Sequence, residues 1–194
     1  MDSFNLLLQK FDSILKEYNI NNYRKLKNPL DDKEIDSYLK ELKVTDLNFK
    51  LFYSWKNGNE IDDLWNIRCQ VFDFGSMITL NSIIKLRNKP DLYWNNFFIP
   101  IIATGDGDYL LYNNNDEAND YGKLHLFSPS LLFIEEPVSY YDSIFSLLET
   151  TMEAYKRSIL KYDTKENWLD IDIKKYHEVA KRINVKSKYW TLLK

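Results

Sequence analysis

Helical periodicity occupies both ends of this chain and is interrupted in the middle, and this arrangement restricts the possible folds more than any other feature. Apolar residues recur at spacings of three and four from Phe4 to Tyr18, as on one face of an amphipathic helix. The same spacing returns from Ile144 to Ile159. Between these blocks the apolar segments are short and separated by turn residues. Helices, then short strands, then helices predict an α+β fold.

Local signals divide the N-terminal block into three predicted helices. A break from Asn21 to Pro29 ends the first helix, and the acidic stretch from Asp31 to Glu34 suits the first turn of the second. Asp46 is expected to cap a third helix. Asn57-Gly58 then ends it, because glycine is the usual residue where the chain turns left-handed after a helix.

The middle of the chain predicts an antiparallel sheet of about four to six strands, because its connections are too short for parallel crossovers. Pro100 indicates an edge strand or a bulge, and Thr104–Asp108 a hairpin turn. Residues 78–86 are expected to be a helical turn or an irregular edge. The predicted strands are 70–74, 97–103, 109–112, 123–127 and 131–134.

The C-terminal block predicts a helix of about 20 residues from Ser139 onward, by the same periodicity. A polar link from Lys161 to Asn167 and a last helix from Ile173 to Ile183 are expected to follow it. Trp190 and Leu192 are expected to pack the tail against the body of the protein.

Composition indicates one ordinary intracellular domain. The 194 residues suit a single domain, and no apolar run approaches the roughly 20 residues of a membrane span. The N-terminus lacks the features of a signal peptide, and Cys69 is the only cysteine. We therefore expect a cytoplasmic protein with no membrane association. The net charge of −3 argues against a general nucleic-acid binder.

Charge is unevenly distributed along the chain. Between Thr104 and Asp120 there are acidic residues but no lysine or arginine, whereas Lys174–Lys194 holds seven basic residues and one acidic residue. These segments are interpreted either as a solvated loop and a frayed basic tail or as an acidic surface that steers a basic partner. The acidic residues are Asp106, Asp108, Asp116, Glu117 and Asp120.

Motifs for catalysis or cofactor binding are lacking in the sequence. His125 and His177 do not have a metal-ligand spacing, and Cys69 has no nucleophile signature beside it. Gly105–Asp108 fits neither a phosphate loop nor an EF-hand, and a tight turn explains it better. We expect no catalytic residue, no metal and no cofactor.

Four ordered stretches resemble the SUKH superfamily, which includes bacterial immunity proteins and a fungal cell-wall synthesis regulator. The matching stretches are Pro29–Ile35, Phe52–Asn59, Ile99–Tyr112, and Gly122–Phe127 followed by Ser143–Leu148. Two positions depart from the usual pattern: Asn59 stands where a second glycine is usual, and Asn113 where aspartate is common.

This resemblance implies one domain over residues 1–194, with a core at about 25–150 and helical extensions at both ends. It implies a twisted antiparallel sheet flanked by helices, and it implies neutralisation of a cognate toxin by direct binding, without catalysis. Two alternatives stay open: a regulatory or scaffolding module without a toxin partner, and an enzyme of unrecognised type.

The hypothesis of a basic toxin domain as partner gives a set of candidate contact residues. The acidic residues would attract a basic domain, and exposed aromatic side chains would supply much of the binding energy. The sequence leaves the oligomeric state undetermined. The candidates are Asp106, Asp108, Tyr109, Asp116, Glu117, Asp120, Trp65 and Trp94.

Overall fold

The computed structural model describes residues 2–64, 69–89, 94–128, 136–166 and 168–192, and within them the predicted α+β fold is confirmed. The α-helices are α1 (Asp2–Tyr18), α2 (Ile20–Lys25), α3 (Asp32–Leu42), α4 (Leu47–Trp55), α5 (Leu80–Arg87), α6 (Ile144–Lys156), α7 (Ile173–Ile183) and α8 (Lys188–Leu192). The strands are β1 (Ser76–Met77), β2 (Phe98–Ala103), β3 (Tyr109–Asn113), β4 (Leu124–Phe127), β5 (Val138–Tyr141), β6 (Leu160–Asp163) and β7 (Trp168–Ile171).

The predicted helix starts are confirmed by their capping interactions. The Asp31 carboxylate accepts a hydrogen bond of 2.8 Å from the Glu34 amide, and the Glu34 carboxylate accepts one from the Asp31 amide. Asp46 caps α4 by accepting from the Asn48 amide at 2.7 Å. Each of these contacts satisfies an amide that has no partner inside its helix.

The predicted break from Asn21 to Pro29 is wrong in its first half, where α2 lies. Asn19 and Asn22 are buried, and both side-chain amides donate to the Gln70 carbonyl, at 3.0 and 2.7 Å. The side chains of these asparagines therefore donate hydrogen bonds to a distant loop, and they do not end the helical structure locally.

Five antiparallel strands form a meander in the order β1-β2-β3-β4-β5. The predicted bulge in β2 is confirmed by a register shift between Pro100 and Ile102, although β2 is an interior strand. The predicted strand at 70–74 is wrong, because the Val71 and Phe72 amides both donate to the Gly75 carbonyl and bend the chain. The predicted strand at 131–134 lies outside the described residues, and β5 follows that segment.

The two faces of this sheet pack differently. Leu110 and Tyr112 of β3 and Leu124 and Leu126 of β4 belong to the main core, which also contains the buried faces of α1, α4 and α6. Leu111 and Phe127 alternate with them and form a smaller cluster with Trp94 on the opposite, outer face. The sheet therefore has one face in the core and one outer face.

The C-terminal part differs from the prediction in two places. The helix predicted from Ser139 onward starts too early, because residues 139–141 belong to β5 and Ser143 caps α6. Helix α6 has 13 residues, and the chain leaves it at Arg157, after which Ser158 adopts a left-handed φ of +54°. The polar link predicted for 161–167 is wrong: β6 and β7 pair as a hairpin, whose Leu160 and Leu169 are buried. Buried and exposed residues alternate in these short strands, so the sequence shows too few apolar residues to predict them.

Helix α8 covers the free edge of β5. The Trp190 indole Nε1 donates to the Tyr140 carbonyl, and the Ser187 hydroxyl donates to the Ser139 carbonyl at 2.6 Å. Trp190 is fully buried, so the expected packing of the tail is confirmed at this residue. The interpretation of residues 174–192 as a frayed tail is wrong.

The half-buried Asp73 ties β5, and through it helix α7, to the segment before β1. The Asp73 carboxylate accepts hydrogen bonds from the hydroxyls of Tyr140 at 2.9 Å and Tyr141 at 2.6 Å. The Tyr176 hydroxyl of α7 lies 2.6 Å from that of Tyr141. Burial raises the pKa of Asp73, and the tyrosine hydroxyls partly offset this by stabilising the ionised form.

Replacing Trp190 by phenylalanine tests the role of α8 at the β5 edge. We expect Trp190→Phe to lower the free energy of unfolding by about 2–3 kcal/mol, because it leaves the Tyr140 carbonyl unpaired and reduces buried apolar area. Chemical denaturation measures this change. The control Trp168→Phe, at a side chain that is 59% exposed, should change stability by less than about 0.5 kcal/mol. Equal losses in the two variants would contradict this role.

Candidate binding cleft on the outer face of the sheet

A cleft of about 670 Å³ lies on the outer face of the sheet, where five segments of the chain converge. The segment entering β2, the β3–β4 loop, β4, the segment entering β5 and the start of α8 all contribute side chains. Its described lining residues are Trp94, Asn95, Phe98, Asp120, His125, Glu136, Pro137, Val138, Ser139 and Lys188.

Strand alternation places His125 on the floor of this cleft. In β4 the flanking Leu124 and Leu126 enter the main core, so the side chain of His125 lies on the outer face. The antiparallel register sets His125 opposite Leu111 of β3 and Ser139 of β5. Neighbours on both sides leave the imidazole only 5% exposed.

Aromatic rings pack around the imidazole and hold Trp94 in place. The Trp94 ring centroid lies 5.0 Å from that of Tyr109 and 5.1 Å from that of Phe127. The Phe98 ring lies 5.0 Å from His125. Trp94 is 9% exposed, so the expectation that it is an exposed aromatic residue is wrong. It is a packed ring whose position is determined by two strands.

The Trp94 indole at this cleft is buried without a hydrogen-bond partner. Trp94 is 9% exposed, and its Nε1 donates to no acceptor within the described residues. An unpaired buried group costs about 1–3 kcal/mol, and native proteins keep few of them. A bound molecule that offers an acceptor to this indole would remove that cost.

Burial and the neighbouring Asp120 carboxylate together set the electrostatic environment of His125. Asp120 Oδ2 lies 3.1 Å from His125 Nε2, while the Asn113 side-chain amide donates to Asp120 Oδ1 at 2.8 Å. Burial lowers the pKa of His125, and the Asp120 carboxylate and the Pro137 backbone partly offset that effect. The imidazole is therefore neutral at neutral pH, with one donor and one acceptor nitrogen.

Charged side chains border the cleft. Glu136 and Lys188 are both exposed, and neither takes part in an ion pair within the described part of the chain. Together with Asp120 they give two carboxylates and one ammonium group around a neutral imidazole. The cleft is thus net negative at its rim, and the neutral imidazole makes its floor polar.

The structure brings together only some of the predicted contact residues. Trp94, Tyr109 and Asp120 lie at or beside the cleft, and Trp65 lies outside the described residues. Asp108 is 4% exposed, so its assignment to an accessible acidic surface is wrong.

The acidic residues also do not form one continuous surface. Asp106 lies in the β2–β3 turn, whereas Asp116 and Glu117 lie in the β3–β4 loop. Strand β3 separates these two ends of the sheet by roughly 15 Å, at about 3.4 Å per residue. All three carboxylates are exposed.

Sequence reasoning missed His125, Phe98, Glu136 and Lys188 as parts of the site. The alternation in Leu124-His125-Leu126-Phe127 already indicates that His125 and Phe127 share a face. No sequence signal shows that the imidazole is buried or that Lys188 from α8 reaches the same cleft. The exposed Trp168 in the β6–β7 hairpin is also missed, because the hairpin itself is missed.

In the ranges that the structure describes, no group of three or more His, Cys, Asp or Glu residues is placed to hold a metal ion. No helix in the same ranges is long and apolar enough to cross a membrane. Comparison of the chain with protein-family profiles and with curated proteins gives no match.

The coupling between Asp120 and His125 predicts the direction of a titration shift. We expect Asp120→Asn to lower the pKa of His125 further, because it removes a carboxylate that favours the protonated imidazole. Titration of the imidazole carbon-bound protons by NMR measures both histidines at once. His177, whose pKa is lowered by burial alone, serves as the internal control.

The lowered pKa of His125 also makes the free energy of unfolding depend on pH in a definite direction. The folded-state pKa of His125 lies below its ordinary value of 6.5, so the unfolded chain binds more protons just below that pH. Stability contributed by neutral His125 is therefore present above pH 6.5 and is lost as the pH falls through the folded-state pKa.

In the NMR titration of the Asp120→Asn variant, a rise of the His125 pKa would contradict the described contact between Asp120 and His125.

Proposed function

We propose that this chain is a non-catalytic protein-binding module of the cytoplasm that neutralises a cognate toxin domain by direct contact, using the outer-face cleft. The observation that carries the proposal is the buried Trp94 indole without a hydrogen-bond partner, in a cleft bordered by exposed charges. A protein partner can supply hydrogen-bonding groups there and exclude water at the same time.

The composition of the cleft supports a protein partner. Residues that dominate binding energy at protein interfaces are tryptophan, tyrosine and arginine in desolvated surroundings. Trp94 is already packed and rotationally restricted by Tyr109 and Phe127, so little side-chain entropy remains to be lost on binding. A rigid aromatic residue beside an exposed charged rim has the usual arrangement of an interface centre and its border.

Resemblance to the SUKH superfamily supports a toxin as that partner. A meander sheet flanked by helices is the architecture that the resemblance implies, and immunity is the activity it implies for bacterial members. Toxins that act on nucleic acids carry basic surfaces, because they bind phosphate backbones. The exposed acidic residues at both ends of β3 would raise the rate of association with such a domain.

Neutralisation is tested by co-expression. Toxin domains encoded beside the gene for this chain are induced in a heterologous bacterium with and without this protein. We expect growth to be restored and the purified pair to co-elute in size-exclusion chromatography, while an unrelated toxin is not neutralised. The absence of both growth rescue and co-elution with every adjacent toxin would overturn the proposal. A stable complex with a non-toxic intracellular protein would replace the proposal by the regulatory alternative.

The steering contribution of the acidic residues is tested separately by kinetics. The triple variant Asp106→Asn, Asp116→Asn, Glu117→Gln should slow association with the purified toxin about three- to tenfold at low salt and leave dissociation unchanged. Stopped-flow measurements over a range of salt concentrations give both rates. The matched control replaces the exposed Glu17, Asp62 and Asp63. An equal effect in the control would show that only net charge matters.

A further inference from the structure

We propose that the outer-face cleft binds an arginine residue within a peptide segment of the partner, with the guanidinium group between Asp120 and Glu136. This inference deepens the proposed function, because it takes the occupant to be a segment of a protein. The cleft volume of about 670 Å³ lies within the usual range of about 300–1,000 Å³ for ligand sites.

Charge is the first argument for a cationic occupant. Asp120 is oriented toward the cleft by the Asn113 amide, and Glu136 is exposed on another side of the same cleft. Lys188 supplies the only described positive charge in the lining, and His125 is neutral because burial lowers its pKa. The two carboxylates therefore exceed the single ammonium group and favour a cation between them.

The aromatic lining favours arginine over lysine. Trp94 and Phe98 line the cleft beside the two carboxylates. A guanidinium group is planar and weakly hydrated, so it stacks on aromatic rings and still donates to carboxylates at its edge. A lysine ammonium is compact and strongly hydrated, and it gains less from such mixed surroundings.

The unpaired Trp94 indole indicates a peptide and not a free cation. Trp94 Nε1 is a donor only, and it has no hydrogen-bond partner within the described residues. A guanidinium group has no acceptor, so a bare cation would leave this donor unpaired. A carbonyl oxygen beside an arginine in a peptide chain is the acceptor that the indole lacks. The charge of the cleft and the unpaired indole are thus satisfied together by one arginine residue and its backbone.

The test uses a short capped peptide, acetyl-Gly-Arg-Gly-amide, and the nitrogen-15-labelled full-length protein. We expect saturable movement of the Trp94 indole N–H signal, which is assigned by its loss in Trp94→Phe. The same peptide with citrulline, the uncharged isostere of arginine, should bind at least tenfold more weakly. The lysine peptide should bind with intermediate affinity.

Single variants locate the guanidinium group. Asp120→Asn and Glu136→Gln should each weaken arginine-peptide binding at least threefold, whereas Glu166→Gln, an exposed residue in the turn between β6 and β7, should leave it unchanged. Glu136 is exposed and its replacement does not disturb packing, so it keeps the test independent of any folding effect at Asp120.

Three results would overturn the inference: an unmoved Trp94 signal at 20 mM arginine peptide, equal binding of the citrulline peptide, or tighter binding of the lysine peptide. None of these measurements involves a toxin. Arginine-peptide binding without toxin rescue would refute the proposed function alone. Toxin rescue that is insensitive to both Asp120→Asn and Glu136→Gln would refute the arginine site alone.

Discussion

The antiparallel register between β3 and β4 is the constraint on which the rest of the structure depends. It pairs Leu111 with His125 and sends Leu110, Leu124 and Leu126 into the main core. A slip of one residue would bury His125 among the helices and expose the leucines, so the hydrophobic core specifies the register strongly. The polar floor of the cleft is therefore held in place by the apolar side chains on the other face.

Features determined by neighbouring residues could be predicted from the sequence, and those determined by distant contacts could not. The capping of α3 by Asp31 and the hairpin at Gly107, whose φ is +90°, follow from local chemistry. The prediction that Gly58 ends α4 is wrong, because α4 ends at Trp55 with Lys56 already extended. Gly58, with a φ of +64°, instead lies where a Cβ atom would come within 2.5 Å of the Met77 carbonyl oxygen of β1. Helix α2 depends on Asn19 and Asn22 reaching Gln70, some fifty residues away. The β6–β7 hairpin has too mixed a polarity for its short strands to show periodicity.

Only part of the candidate site could be predicted, because tertiary packing brings residues from distant parts of the sequence together there. Charge and aromatic content in the sequence single out Trp94, Tyr109 and Asp120, and the fold brings these three residues to one region. Sequence position does not reveal that a strand separates Asp106 from Asp116, or that Asp108 is buried. Lys188 joins the site only because α8 packs along β5. Such convergence is a property of tertiary packing.

Because α8 covers β5, this edge of the sheet offers little backbone for pairing with another chain. Ser187 and Trp190 occupy the backbone carbonyls of Ser139 and Tyr140, and β1 at the other margin has only two residues. A foreign strand therefore finds little backbone to extend in the main sheet. The proposed recognition at this sheet therefore depends on side chains, which can change one at a time while the scaffold is retained. Under that proposal, a few surface substitutions would be enough to give a new specificity, and the covered strand edge would still hinder polymerisation.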